Sequence, residues 1–218
     1  MRTATAVTKQ ATAGRPPGVA GVVAEIRAGI ASCRLCPAMK PHRKAPPESF
    51  GTTRTGYVLV AEAPGTGGAP FGDAAGTVLR DALAQAGDEE YRALEDLFFL
   101  THAVRCVPVD PKAKGRTRAP KRSECAACRP YLAFELRALH PRLILAVGGK
   151  AAEGVLGKPV RMAGEHGQRR RLGDLELLTV LVPSPHNRAA LKRHGFTIDS
   201  YTRWLAGLFG SLIDDLRR

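Results

Sequence analysis

No apolar run in this chain approaches 18 residues, so no segment is expected to span a membrane as a helix. There is no G-x-G-x-x-G fingerprint and no Walker lysine, which excludes the two commonest phosphate-cradling loops. Acidic residues are few: Asp and Glu number 20 against 33 Lys and Arg, giving a net charge of +13. With a pI of about 10.1, the chain should seek a polyanion, nucleic acid before anionic membrane. Residues 1–24 contain no Asp or Glu and are rich in Thr, Ala and Gly. They are expected to form a disordered basic tail ahead of one domain over residues 25–218. An organelle leader fits them less well, because the amphipathic Arg pattern is weak. No internal repeat is present.

Cysteine is also scarce, with five in 218 residues. A chain of this length buries a full core without covalent staples, so the cysteines are not needed as a disulfide scaffold. With no export signal read in it, the protein is expected in the cytoplasm, on the nucleoid, where thiols stay reduced and widely separated cysteines serve as metal ligands. Cys33 and Cys36 form one C-x2-C pair, Cys125 and Cys128 another, and Cys106 stands between them. On spacing alone the two pairs suit a zinc site.

Four short apolar runs read as strands: 57–61 (YVLVA), 97–101 (LFFLT), 143–147 (LILAV) and 177–182 (LLTVLV). They are continuous rather than alternating, as strands buried on both faces are. Helical stretches at 75–86, 125–139, about 149–156 and about 199–217 separate or follow them. This alternation predicts a three-layer α/β/α fold around a central four-stranded parallel sheet. In such a sheet ligands bind at the carboxyl ends of the strands. Just past those ends lie Glu62, His102, Gly148–Gly149 and the segment Pro183–His186.

The loop after the first strand, EAPGTGGAPFGDAAG, is rich in glycine and ends at a helix start, a place where backbone amides can approach an anion. Glu62 at its head suits orienting a water or stabilising a cation, or is a surface carboxylate. Phe71 lies among prolines and glycines, where it either stacks on a base or packs under the loop. The segment 105–122 carries Arg105, Lys112, Lys114, Arg116, Arg118, Lys121 and Arg122 against one Asp110, a candidate DNA clamp or a solvated loop. The Arg169–Arg171 run is expected to be a strand-connecting turn.

AEAPG followed by PFGDAAGTVL resembles the first motif of the uracil-DNA glycosylase superfamily, closest to its iron–sulfur branch, families four and five. THAVRC followed by ECAACRPYL resembles that branch's later cluster ligands, and LTVLVPSPHN resembles the second motif, H-P-S-P-x-N. The likeness runs from about Cys33 to Trp204. It implies a monofunctional glycosylase that hydrolyses the bond between uracil and deoxyribose. It further implies a [4Fe–4S] cluster on Cys33, Cys36, Cys106 and Cys128, with Cys125 to spare. Glu62 is implied as the catalytic residue, and Ala63, Pro64, Gly65, Phe71, His102, Ser184, His186 and Asn187 as the base-binding set. Lys112, Lys114, Arg116, Arg118 and Arg188 are expected on DNA, single- or double-stranded with a flipped base, and the protein is expected to be a monomer. Three positions depart from the pattern: Val182 stands where the second motif has His, His102 where family four has Asn, and Ala61 where the first motif begins with Gly. These departures keep open another deaminated base such as hypoxanthine and a non-catalytic iron–sulfur DNA binder, and the two C-x2-C pairs keep open a zinc-ribbon module.

Overall fold

The structure, a computed structural model, describes residues 18–36, 39, 49–65, 71–110 and 116–218. Its centre is a six-stranded sheet in the order β1-β3-β2-β4-β6-β5. Here β1 is Phe50–Gly51, β2 Tyr57–Ala61, β3 Phe99–His102, β4 Leu143–Val147, β5 Arg169–Leu172 and β6 Leu175–Val180. The four inner strands, β3-β2-β4-β6, are mutually parallel and correspond to the four runs read from the sequence. The expected count of four is short by two. Both edges carry an added antiparallel strand, β1 against β3 and β5 against β6. The Arg169–Arg171 run is therefore an edge strand rather than a turn. Charge on an edge strand discourages pairing with another chain, which is why the run looks unlike a strand.

Side chains of the inner strands alternate between two cores. Tyr57, Leu59, Leu143, Leu145, Val147, Leu178 and Val180 face helices α2 (Ala74–Ala86) and α8 (Ile198–Arg217), which bring Leu79, Leu83, Tyr201, Leu205 and Phe209. Val58, Val60, Ile144, Ala146 and Leu177 face α4 (Arg122–Leu139) and α5 (Gly149–Leu156), which bring Leu132, Ala151 and Ala152. The result is the three-layer α/β/α sandwich. A further helix, α1 (Val19–Ser32), lies on α4 through Val22, Ile26 and Ile30 packed against Tyr131, Phe134 and Ala138. The expected boundary between tail and domain at residue 25 thus falls inside a helix whose Val22 is already buried. Residues 1–17 lie outside the described residues.

Helix ends are set locally. Asp73 caps α2 by accepting from the Gly76 N–H at 2.9 Å, and Gly87 closes it in the left-handed region at φ 73°. Thr197 and Ser200 exchange bonds at the start of α8. Short helices α3 (Leu94–Leu97), α6 (Met162–Glu165) and α7 (Arg188–Arg193) and a 3-10 turn at Pro185–Asn187 complete the order. No helix among the described residues is long and apolar enough to cross a membrane.

Candidate active site

The carboxyl ends of β2, β3, β4 and β6 form one rim, and most of the expected site residues stand on it. Glu62 follows β2 directly. One of its carboxylate oxygens accepts from the Lys150 backbone N–H at 3.0 Å, in the first turn of α5. Gly148, at φ 99°, is what permits this approach. A Cβ there would lie 2.4 Å from Glu62 Oε1 and 2.7 Å from Val182 Cγ2. The same glycine therefore seats the carboxylate and the Val182 side chain against the end of β4. Burial raises the Glu62 carboxyl above its ordinary value. The Lys150 backbone bond and ammonium act against that, and Glu153 adds to it.

Phe71 and His102 face one another. Their rings stack with centroids 4.9 Å apart and planes 28° from parallel. Phe71 is 5% exposed and belongs to the core beneath the loop, so it packs there against His102. Its backbone lies at φ 53°, uncommon for a bulky residue. Two neighbours hold it there: Arg80 Nη1 donates to its carbonyl at 2.7 Å, and Gly76 leaves room, since a Cβ at 76 would meet that carbonyl at 1.7 Å. Gly76 and Asp73 thus shape the loop that presents the ring. Of the rest of this loop, Pro64 is buried, Gly65 lies against Asp73, and residues 66–70 are outside the described residues.

Burial, and after it the Arg105 guanidinium, pushes the His102 imidazole down to about 3, so the ring is neutral at physiological pH. Because the folded value lies below the unfolded one, the unfolded chain takes up a proton first on acidification. The His102 contribution to stability is full above about pH 6.5 and is lost as pH falls toward 3. His102→Asn should therefore flatten the acid side of the stability curve. Urea unfolding of both proteins at pH 7 and pH 4.5 checks this, with wild type expected to lose more.

The segment after β6 is tied down by its own residues. Asn187 Nδ2 donates to the Val182 carbonyl at 3.0 Å, and the His186 N–H donates to Ser184 Oγ at 3.2 Å. From below, the buried Tyr201 hydroxyl of α8 donates to the Leu181 carbonyl at 3.0 Å. Asn187 and Ser184 thus first shape the loop, while His186 and Arg188 are exposed on its rim. Tyr201 lies in no motif read from the sequence, which gave no sign of its tie to the loop. Tyr201→Phe leaves the Leu181 carbonyl without its partner, an expected loss of about 1–3 kcal/mol in thermal or urea unfolding.

Four of the five cysteines share one buried cluster or pack against it. Cys33 ends α1, its N–H bonded to the Ile30 carbonyl. Cys128 is buried with Met39, Val104 and Cys125, and Cys36, Ala63 and Cys106 pack against them. Burial pushes the Cys128 thiol up to about 12. The Arg105 backbone N–H bonded to it acts in the other direction, and Cys106 and Cys36 add to the rise. Tyr131 is raised to about 12 by burial first, then by Cys33, to which it hydrogen-bonds, and by Cys128 and Cys106. Cys33, Cys36, Cys106 and Cys128 therefore share one neighbourhood. Cys125, in the same cluster as Cys128, also feels Lys150, Glu153, Glu62 and Glu124, and burial pushes its thiol to about 11. None of the five forms a disulfide. Among the described residues no three Cys, His, Asp or Glu side chains are gathered to hold a metal ion.

The basic segment is partly committed to structure. Arg105 is 3% exposed and pairs with buried Glu135 at 2.7 Å, a partnership its position in a charged run does not reveal. Arg118 forms a two-pronged pair with Glu124 at 2.6 and 2.8 Å, which leaves it less a clamp than a brace. Backbone bonds between Asp110 and Arg116, and between Arg118 and Pro108, make a short stem. Arg116 is exposed beside that stem, and Lys112 and Lys114 fall outside the described residues.

The family model described as "Uracil DNA glycosylase superfamily" matches residues 48–206. The chain belongs to the uracil-DNA glycosylase superfamily. Its relatives place it in the type-4, iron–sulfur branch. It is 30% identical to the type-4 uracil-DNA glycosylase of Pyrobaculum aerophilum over 192 residues, 85% of this chain and 92% of the relative. It is 33% identical to the type-4 enzyme of Archaeoglobus fulgidus over 57% of this chain and 58% of the relative. To that of Sulfurisphaera tokodaii it is 29% identical over 62% and 58%. As a member of this glycosylase superfamily, the chain carries its two motif loops on the ends of β2 and β6, with β4 between them. The half-buried Glu62 carboxylate and the valine of the second motif both lie against Gly148 at the end of β4.

Proposed function

We propose that this protein is a DNA glycosylase that removes uracil, the product of cytosine deamination, and so initiates base excision repair. The observation that carries the reading is the meeting of Glu62 with the Phe71–His102 pair and the Leu181–Asn187 loop on one rim of a parallel sheet, inside a chain of this superfamily. The target nucleotide leaves the stack and enters the rim, at a cost of a few kcal/mol that phosphate contacts offset. Phe71 provides an aromatic wall for the base. The loop residues Ala63, Pro64 and Gly65 border it, and the neutral imidazole of His102 offers one N–H to a carbonyl. The C1′–N1 bond breaks with its electron pair passing to the base. Water adds its oxygen to C1′, and Glu62 orients that water, takes up its proton and faces the cation-like sugar. The second proton-transfer partner is solvent, and an abasic site remains.

DNA is the partner, met by the exposed basic residues Arg116 and Arg188 and by Lys112 and Lys114, with Arg118 bracing the stem beside them. The acting unit is a monomer working on the nucleoid. Cys33, Cys36, Cys106 and Cys128 would hold a [4Fe–4S] cluster. The fit rests on their chemistry, four soft thiols in one neighbourhood drawn from the end of α1, the segment after β3 and α4. Bound there, the group would tie these segments together.

The test is a strand-nicking assay with alkali on oligonucleotides carrying one uracil or one hypoxanthine, using anaerobically purified protein whose iron and sulfide are measured. Cleavage at uracil with about four irons per chain is the expected result. Cleavage at hypoxanthine alone would reassign the base. Tight DNA binding without cleavage at either would support the non-catalytic alternative.

A further inference from the structure

The first motif supplies Glu62, but nothing in that motif fixes the charge of a carboxyl seated in a partly buried rim. The structure supplies a candidate on the next strand over. Gly148 opens α5, and the Lys150 N–H bonds Glu62 Oε1. The Lys150 ammonium does not extend freely into solvent. It pairs with Glu153 Oε2 at 2.6 Å, one turn on, while Arg122 Nε approaches Glu153 Oε1 at 3.0 Å, an ion pair without hydrogen-bond geometry. The Glu153 side chain is 8% exposed. A buried carboxylate held between two cations at the foot of a catalytic carboxylate is costly to build unless its charge is used or neutralised.

We infer that Lys150 and Glu153 are positioning residues for Glu62: α5 orients the carboxylate through its backbone, and the Lys150–Glu153–Arg122 chain sets the electrostatic balance that keeps it ionised. The inference rests on the glycosylase reading, in that Glu62 is taken as the group that meets water and sugar. The charged and titratable groups around Glu62 come from three sides. On α5 they are Lys150, which favours the carboxylate, and Glu153, which opposes it. On α4 they are the Cys125 thiol, which is electrostatically coupled to Glu62, and Arg122, which acts through Glu153. On β3 it is neutral His102, the register partner of Ala61. The two α5 side chains act on Glu62 with opposite sign, which separates an electrostatic role from a merely structural one.

The experiment measures single-turnover excision from a uracil oligonucleotide across pH for wild type, Lys150→Met, Lys150→Arg and Glu153→Gln. Excision requires ionised Glu62 and so rises with pH along an acid limb. Removing the ammonium should move that limb to higher pH and depress excision most at low pH. Arginine should restore the wild-type limb. Removing the Glu153 charge should move the limb to lower pH. A uniform loss at every pH with an unmoved limb, or a shift of the same sign in both variants, would overturn the inference. The Glu62 carboxyl is titrated in parallel by 13C NMR, assigned by difference with Glu62→Gln, which reads the same displacements without catalysis. Opposite displacements there, with no uracil excision by wild type, would uphold the positioning role and reject the glycosylase reading. Unmoved carboxyl titration with active wild type would do the reverse.

Discussion

Glu62→Gln is expected to lower uracil excision by about 10²–10⁴-fold while DNA binding persists. Glutamine keeps the size of the side chain and can still accept from the Lys150 N–H, so the rim and α5 should stay in place. What is lost is the charge that faces the sugar cation and the base that orients water. Burial raises the Glu62 carboxyl above its ordinary value, the environment expected of a carboxyl set up for proton chemistry. Single-turnover excision and fluorescence-anisotropy binding on the same uracil oligonucleotide check the two halves. Equal, near-background excision in both proteins would favour the non-catalytic alternative.

Breaking the Arg105–Glu135 pair should have the largest effect on stability. Arg105 and Glu135 are 3% and 0% exposed, and Glu135 Oε2 accepts from both Arg105 Nη2 at 2.7 Å and Thr101 Oγ1 at 2.6 Å. Ser49 Oγ completes the group, 2.6 Å from Arg105 Nη1 and 3.0 Å from Thr101 Oγ1. Glu135→Ala leaves a buried guanidinium without its counter-charge, an expected cost of about 3–5 kcal/mol. For a chain of this size that is a fall in Tm of roughly 6–20 °C. The double variant Arg105→Met, Glu135→Leu should recover much of the loss, since an apolar pair of similar volume avoids desolvating two ions. Calorimetry of wild type and both variants makes the comparison. The pair also matters to function by place. Arg105 lies three residues after His102 and one before Cys106, and its N–H reaches Cys128. Loss of the pair should therefore loosen His102 and the thiol segment together.

The parts of this fold legible in the sequence were those that tertiary structure leaves locally intact. Tyr57–Ala61 and Leu143–Val147 are strands within the limits read, because strands buried on both faces are continuously apolar. The edge strands gave no such signal. Phe50–Gly51 is two residues long, and Arg169–Leu172 is mostly charge. The start of α1 was hidden by its own composition, since Val-Ala-Gly-Val-Val-Ala reads as a continuation of the tail until Val22 is seen to be buried. At the site, Glu62, Phe71 and His102 were reachable from motif and strand-end logic. Lys150 was not, although the two glycines before it mark a strand end feeding a helix start. Its importance lies in a contact with a residue 88 positions away. Arg105 was read as one charge among many in a basic run, and only burial distinguishes it from Arg116. Cys125 and Cys128 are equivalent by spacing; the resemblance alone told them apart, and both lie in one buried cluster.

The most direct measurement is the release of free uracil, detected by mass spectrometry, from an oligonucleotide with a single uracil incubated with anaerobically purified protein under single-turnover conditions. Uracil should be released by wild type in a one-to-one ratio with alkali-labile abasic sites, and hardly at all by Glu62→Gln. An intact base on oligonucleotide that the protein nonetheless binds, or equal release by the two proteins, would contradict the assignment of uracil excision to Glu62 on this rim.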